Sequence, residues 1–450
     1  MEKQERSKML GTMHMGRLVP KVSIPIMISM LVQALYNVVD GIFVARYSAD
    51  SFTAVSLVFP IQMLMIAVGT GLGVGINSLV SRRLGEGRAQ DARDAARNGI
   101  FLELCGGLLF CLFGIFGARS FMHVFTQDQH LQALGGQYLT IVTVFSFGLL
   151  LSMVFERLMQ STGNTTLSMA TQLAGALTNI ILDPIMIFVM DLGVAGAAWA
   201  TVIGQWVGMS LGLFLNQTRN RELKIHVRGF RPQGGTIKEI LAVGFPSIIM
   251  QAISSVMNVG MNMILLGFGN MAVNVLGVYF KLQSFIFMPV FGLGNGLVAI
   301  VGYNYGARQR ERVYAAIRVA LMIALGIMGV GMLLFMAVPQ VLLSLFEAGD
   351  AGDLTVMGRA ALRTISLSFL MAAVGIIVTV VFQAVGKGVR SLLMSVCRQL
   401  VILLPVAFIL AKTIGVSAVW YAFPIAEVGC LILAICFFLD LVRNDFKKLN

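Results

Sequence analysis

Apolar stretches of about twenty residues or more, broken by short polar loops, fill the chain from residue 20 to residue 440. A helix crossing the hydrocarbon core of a bilayer needs about 20 mostly apolar residues. About twelve runs reach that length: 20–45, 52–81, 98–118, 134–156, 165–190, 194–215, 239–268, 272–303, 314–338, 360–385, 391–411 and 415–440. The pattern predicts an all-α integral membrane protein. Several runs exceed the minimum, which allows tilt or a kink. Pro25, Pro60, Pro184, Pro246, Pro289 and Pro405 fall inside these runs or near their starts. Neighbouring helices must then satisfy the carbonyls that the prolines free.

Composition agrees: 57% of the 450 residues are hydrophobic and 12% are charged, with a mean hydropathy of +0.85. Water-soluble domains carry about twice that share of charge, so a soluble fold is excluded. The net charge of +12 fits loops that meet an anionic leaflet better than it fits nucleic acid. Most of the basic residues lie in the N-terminus, 82–97, 157, 216–238, 304–318, 386–398 and the C-terminus. The opposite set of loops holds Arg46, Arg119, Arg359, Arg363 and Lys412, and Lys281 falls within a span. By the positive-inside rule both termini are expected in the cytoplasm. Met1 to Pro20 has basic residues but no apolar core, so no cleavable signal peptide is expected. The five cysteines lack metal or redox spacing and read as small core residues.

The two halves repeat. Gly71-Leu-Gly73-Val-Gly75 recurs as Gly292-Leu-Gly294-Asn-Gly296, an offset of 221 that also relates Gly85 to Gly306, Pro25 to Pro246, Asn37 to Asn258, Pro184 to Pro405 and Trp199 to Trp420. Gln160–Gly163 and Gln383–Gly386 agree at 223. Six spans per half is an even number, so both halves start on the same side and form parallel six-helix bundles related by a pseudo-two-fold axis along the membrane normal. The expected boundaries are a tail at 1–18, bundles at 19–215 and 239–440, a cytoplasmic linker at 216–238 and a tail at 441–450. No strand precedes the glycine runs, so they read as close helix packing rather than phosphate cradles.

Charge within a span is costly and marks function. Asp40 and Asp183 interrupt the first and fifth spans, roughly 9 and 12 Å from the outer ends at 1.5 Å per residue. Gln33, Asn37 and Asp40 share one helical face, and Asn179 and Asp183 share another. The repeat places Met261 and Leu404 where Asp40 and Asp183 would recur. Shared architecture therefore does not explain the two acids. They read as capping or packing groups, or as an ion- or proton-binding site. Lys281 and Glu427 are also within spans; they are expected to pair, or Glu427 to hold a cationic substrate. Glu103 and Glu156, near the cytoplasmic ends of their spans, are expected to be solvated. No histidine lies where a buried proton relay would need one.

At these residues the chain resembles the multidrug and toxic compound extrusion (MATE) family over nearly its whole length. The resemblance is carried by the twelve-span, two-bundle organisation, the first helix from Pro25 to Asp40, Asn179-Ile-Ile-Leu-Asp183-Pro184, and Gly193-Val-Ala-Gly-Ala-Ala-Trp-Ala-Thr201. The NorM-like branch carries further acids in helices 7 and 10; here span 7 has only Glu239 at its start and span 10 has none. The chain thus looks like the DinF- and MepA-like branch. That resemblance implies a coupling site for a proton or sodium at Asp40, Asn179, Asp183 and Thr201, with Gln33, Tyr36 and Asn37 as a supporting polar face. It also implies efflux of amphipathic, often cationic drugs in exchange for inward H+ or Na+, no cofactor, no nucleic acid, and a monomer in a bacterial inner membrane. A flippase for lipid-linked precursors should carry several basic residues in its cavity, and only Lys281 qualifies. A membrane enzyme is the remaining alternative, but no HExxH, P-loop, CxxC or intramembrane Ser/His pair supports it.

Overall fold

In a computed structural model, residues 7–225, 229–344 and 352–449 are described; the side chain of Asn37, together with His226, Arg228 and Gly349, lies outside the described residues. The first half comprises α1 (Lys8–Thr12), α2 (Met15–Tyr47), α3 (Ala49–Gly85), α4 (Ala89–Phe116), α5 (Ala118–Phe125), α6 (Gln129–Val144), α7 (Phe147–Ser161), α8 (Thr165–Pro184) and α9 (Gly193–Arg219). The second comprises α10 (Gly234–Leu266), α11 (Asn270–Gly306), α12 (Arg310–Ala337), α13 (Pro339–Ser344), α14 (Gly352–Ser366), α15 (Phe369–Ala384), α16 (Gly388–Val396), α17 (Leu404–Thr413), α18 (Val416–Val419) and α19 (Ala422–Asn444). Among the described residues ten helices are long and apolar enough to cross a bilayer. Two bent pairs, α6 with α7 at 43° and α14 with α15 at 49°, bring the number to 12. The repeat seen in sequence extends to these boundaries: α3 and α11, α4 and α12, and the short α5 and α13 all begin 221 residues apart.

All loops joining even to odd spans and both described chain ends gather at one face of the molecule, called here the basic end. There Arg83 pairs with Glu239 at 2.9 Å, and Lys387 and Arg390 pair with Asp445 and Asp440.

The glycine runs do what close packing requires. A Cβ on Gly75 would stand 2.3 Å from the Ile240 carbonyl oxygen, and one on Gly71 2.8 Å from the Ile248 backbone nitrogen. In the other half, Gly292 meets the Met27 backbone at 2.7 Å and Gly296 the Ser23 hydroxyl at 2.7 Å. The first spanning helix of each half therefore begins against the opposite bundle. Leu18, Val19 and Val22 of α2 join the core of the second half, and Ile240 of α10 joins a core of the first. By their far ends the allegiance has switched: Val44 packs in the first half, and Met261 and Leu265 in the second. The cross-bundle contacts named here lie in the half of the molecule nearest the basic end. Ser78 reinforces them by donating to the Gln383 carbonyl at 2.6 Å, and Arg82 by donating to the Val385 carbonyl at 3.5 Å.

Candidate functional site

The two acids singled out by sequence come together. Asp40 descends on α2 and Asp183 on α8, and their carboxyl groups lie against each other. Asp183 is fully buried, and one Asp40 oxygen, Oδ1, is buried without a hydrogen-bond partner. Two carboxylates in contact repel unless a proton or cation lies between them. Asn179, with its amide turned to suit its neighbours, donates to Asp183 Oδ2 at 2.9 Å and accepts from the Thr201 N–H at 3.0 Å. Tyr36 of α2 sits beside the Thr201 side chain. Lower on the same helices, Gln172 donates to Gln33 Oε1 at 3.1 Å. Asp40, Asn179, Asp183, Thr201, Gln33 and Tyr36 thus line one polar seam.

Local sequence explains why α8 ends here. Pro184 lacks an N–H, and the helix continues as a π-turn over Ile185–Val189; such turns favour functional sites because they leave backbone groups unpaired. Gly204 lets α9 approach closely, since a Cβ there would stand 3.1 Å from Asn179 Cβ.

One member is not apparent from the sequence. Tyr138 of α6 is buried, lies near the Thr201 side chain and accepts a hydrogen bond from Gln62 Nε2 at 2.9 Å. The signal that would have found it is the broken repeat: Tyr36 and Thr201 correspond to Met257 and Ala422 at an offset of 221, and Tyr138 to Ala360 at the 222 that relates the two bends.

The Lys281–Glu427 pairing needs correction. Glu427 pairs with Arg398, Nη1 to Oε1 at 3.3 Å, while the Lys281 side chain lies on an exposed face of α11. Arg398 had been counted with the cytoplasmic loop; it sits instead in a π-turn, Cys397–Leu403, inside the span. A helix face turns by about 100° per residue and a π-turn shifts that register, so lying within spans of opposite charge does not decide the partner. Removing one side of a buried pair strands a charge and costs about 3–5 kcal/mol. Glu427→Gln should therefore depress folded yield and thermal stability sharply. An unchanged melting temperature in detergent would reject the Arg398 pairing. The expected solvation of Glu103 is also overturned: it is fully buried. Of the cysteines, all free, only Cys430 is fully buried.

Two helical bundles of membrane-spanning length that meet at one end are the build of a multi-pass membrane transporter. Residues 25–185 and 246–409 match the MatE family model, and the chain belongs to that family. It is 27% identical to multidrug export protein MepA of Staphylococcus saprophyticus, over 92% of this chain and 91% of that one. It is 26% identical to MepA of Staphylococcus haemolyticus, over 94% and 92%. A solved outward-facing conformation of a multidrug resistance MATE family transporter of the MOP superfamily superposes with a TM-score of 0.92 at 27% identity, covering 100% of this chain and 99% of that one. A MOP superfamily transporter from Pyrococcus furiosus superposes with a TM-score of 0.91 at 28% identity and the same coverage.

Proposed function

We propose that this protein is an antiporter that expels amphipathic, often cationic drugs and is driven by H+ or Na+ entering through the Asp40–Asp183 site. The observation that carries the reading is the meeting of two carboxyl groups in the first bundle, at positions where the second has Met261 and Leu404. The relatives named as multidrug exporters support the substrate class. Among the described residues no cluster of three or more His, Cys, Asp or Glu side chains is poised to hold a metal. Sodium would instead be held by the carboxylate, amide and hydroxyl oxygens of Asp40, Asp183, Asn179 and Thr201, hard ligands for a hard cation; the unpartnered Asp40 Oδ1 fits such a ligand.

In this reading the basic end faces the cytosol and the monomer rests closed there. A ligand drives alternation only if it prefers one conformation, since equal affinity for both shifts nothing. The acidic pair lies on α2 and α8, and α2 also seals the basic end through Met27 and Ser23. Cation binding is thereby linked mechanically to the seal. The buried cations Arg157 and Arg398 each face an acid, so neither offers the surplus positive charge that a flippase for anionic headgroups needs.

Proteoliposomes loaded with a fluorescent cationic drug test the function. Efflux should accelerate under an imposed inward pH or sodium gradient, and drug movement indifferent to both gradients would overturn antiport. Orientation has its own test in intact cells, using single cysteines in a cysteine-free background. An impermeant reagent should label position 191 and spare positions 88 and 308. Labelling at 88 would invert the topology.

A further inference from the structure

One charged cluster is not used by the site above. Glu103 of α4 is fully buried, and neither of its carboxylate oxygens has a hydrogen-bond partner. It lies within electrostatic reach of Arg157 of α7, which is 7% exposed, and the half-buried Glu156 precedes that arginine on the same helix. Arg157 donates from Nη1 to Gln160 Oε1 at 3.0 Å, and its stem packs on Gly73, where a Cβ would stand 2.8 Å from Cγ. Two acids and one arginine are electrically neutral when the cluster holds one proton. Burying the extra negative charge without that proton is expensive.

The cluster is also asymmetric. Gly294, the repeat partner of Gly73, meets Val380 at 2.9 Å, so Val380 takes the place of Arg157. The positions equivalent to Glu103 and Glu156 are Ala324 and Thr379. The second bundle thus lacks this cluster just as it lacks the Asp40–Asp183 pair. The two features go together.

A polar seam connects them. Asp183, Asn179, Gln172 and Ser168 recur at helical spacing on one face of α8, over about 22 Å at 1.5 Å per residue. Gln172 bonds to Gln33, and Ser168 accepts from Gln160 Nε2 at 3.0 Å, which brings the seam to Arg157. Beyond Glu103, roughly 7.5 Å further along α4, Asn98 lines a cleft at the basic end together with Asp94, Arg97 and Arg231. The charges on the elements packed against α4 and α7 are few: α3 has none between Asp50 and Arg82, α5 has Arg119 and His123, α6 only His130 at its far end, α8 only Asp183, α9 none before Arg219, the short helix Arg221–Leu223 has Arg221 and Glu222, α10 has Lys238 and Glu239 at its start, and α11 has Lys281.

We infer that Glu103, Glu156 and Arg157 form a second proton-binding site, which receives the proton leaving the Asp40–Asp183 pair and releases it at the basic end. The inference rests on the proposed antiport. The proton leaves a carboxyl of the acidic pair, moves through water held along Gln33, Gln172 and Ser168, and binds the Glu103 carboxylate. It then passes to water in the Asn98 cleft, which restores the carboxylate. Amide side chains order water but do not relay a proton themselves, so transfer requires water to enter the seam when the bundle opens.

The test uses the full chain in vesicles of one orientation, with pH varied only on the side of the basic end. Glu103→Gln keeps the cluster neutral as a Glu156–Arg157 pair, so the fold should survive. Wild-type efflux should depend on pH at that side; the variant should be about 10-fold slower with a flattened profile, and its drug affinity from the opposite side should be unchanged. Glu103→Asp should restore part of the dependence. On the wild type itself, a hydrophobic carbodiimide, which reacts with protonated carboxyl groups in membranes, should label Glu103, and less so as pH at the basic end rises. An unchanged profile in Glu103→Gln overturns the inference, as does an absence of labelling at every pH. Wild-type efflux that ignores pH altogether instead overturns proton coupling, a distinguishable failure.

Discussion

Asp40→Asn and Asp183→Asn should each reduce gradient-driven efflux by about 100-fold, near the upper end of the ~1–3 kcal/mol by which one ligand typically couples to another. Asparagine keeps the shape of a protonated aspartic acid and its hydrogen-bonding partners, so both variants should insert and fold. What is lost is exchange of the ion. In the wild type the two carboxyl groups meet within a seam closed by Asn179, Thr201 and Tyr36. Neutralising either member leaves a single acid with no like charge to oppose, and the pair no longer senses the ion on the opposite face. Drug should still bind, because nothing in the seam is removed. Binding of a fluorescent drug to purified protein, measured beside efflux from vesicles under pH and sodium gradients, separates the two. Wild-type efflux in the double variant would remove the site from the mechanism.

Leucine at Gly85 or Gly306 should have an effect of similar size for a different reason. The two glycines occupy equivalent positions and cross each other's helices: a Cβ on Gly85 would stand 1.9 Å from the Tyr303 carbonyl oxygen, and one on Gly306 2.2 Å from that of Arg82. Both obstacles are backbone, so no rotamer change relieves them. Overpacking of this kind costs about 1–3 kcal/mol per site, and 1.4 kcal/mol is tenfold in an equilibrium. The penalty falls on the conformation closed at the basic end, because there the helices touch. The expected result is a population shifted towards opening at that end and efflux reduced by about 10- to 100-fold. A cysteine at Ser23, fully buried beside Gly296, reports it. In a cysteine-free background it should be protected from a water-soluble reagent in the parent protein and labelled in Gly85→Leu. Since both glycines form one crossing, the double variant should be less than additive. Unchanged protection and unchanged efflux would show that the crossing does not set the closed state.

The apolar runs by themselves determined the number of crossings, because a bilayer demands a nearly fixed length of apolar helix from each span. The spacing of Gly71 to Gly75 and Gly292 to Gly296 announced a repeat, and the places where that repeat fails announced Asp40 and Asp183. Those inferences hold locally: length, period and offset are read along one chain. The partners of charges were a different matter. Sequence pairs Glu427 with Lys281 because both interrupt spans, yet the π-turn at Cys397–Leu403 turns Arg398 towards it instead. Glu103 is expected from sequence to be solvated because it lies near the cytoplasmic end of its span, whereas it is buried, and Arg157, packed against Gly73, comes from a helix more than fifty residues away. Nor did sequence reveal that α2 and α10 each start against one bundle and finish in the other. Which faces of two helices meet depends on rotation about their axes and on breaks in helical period. Those are fixed only when all the helices pack together.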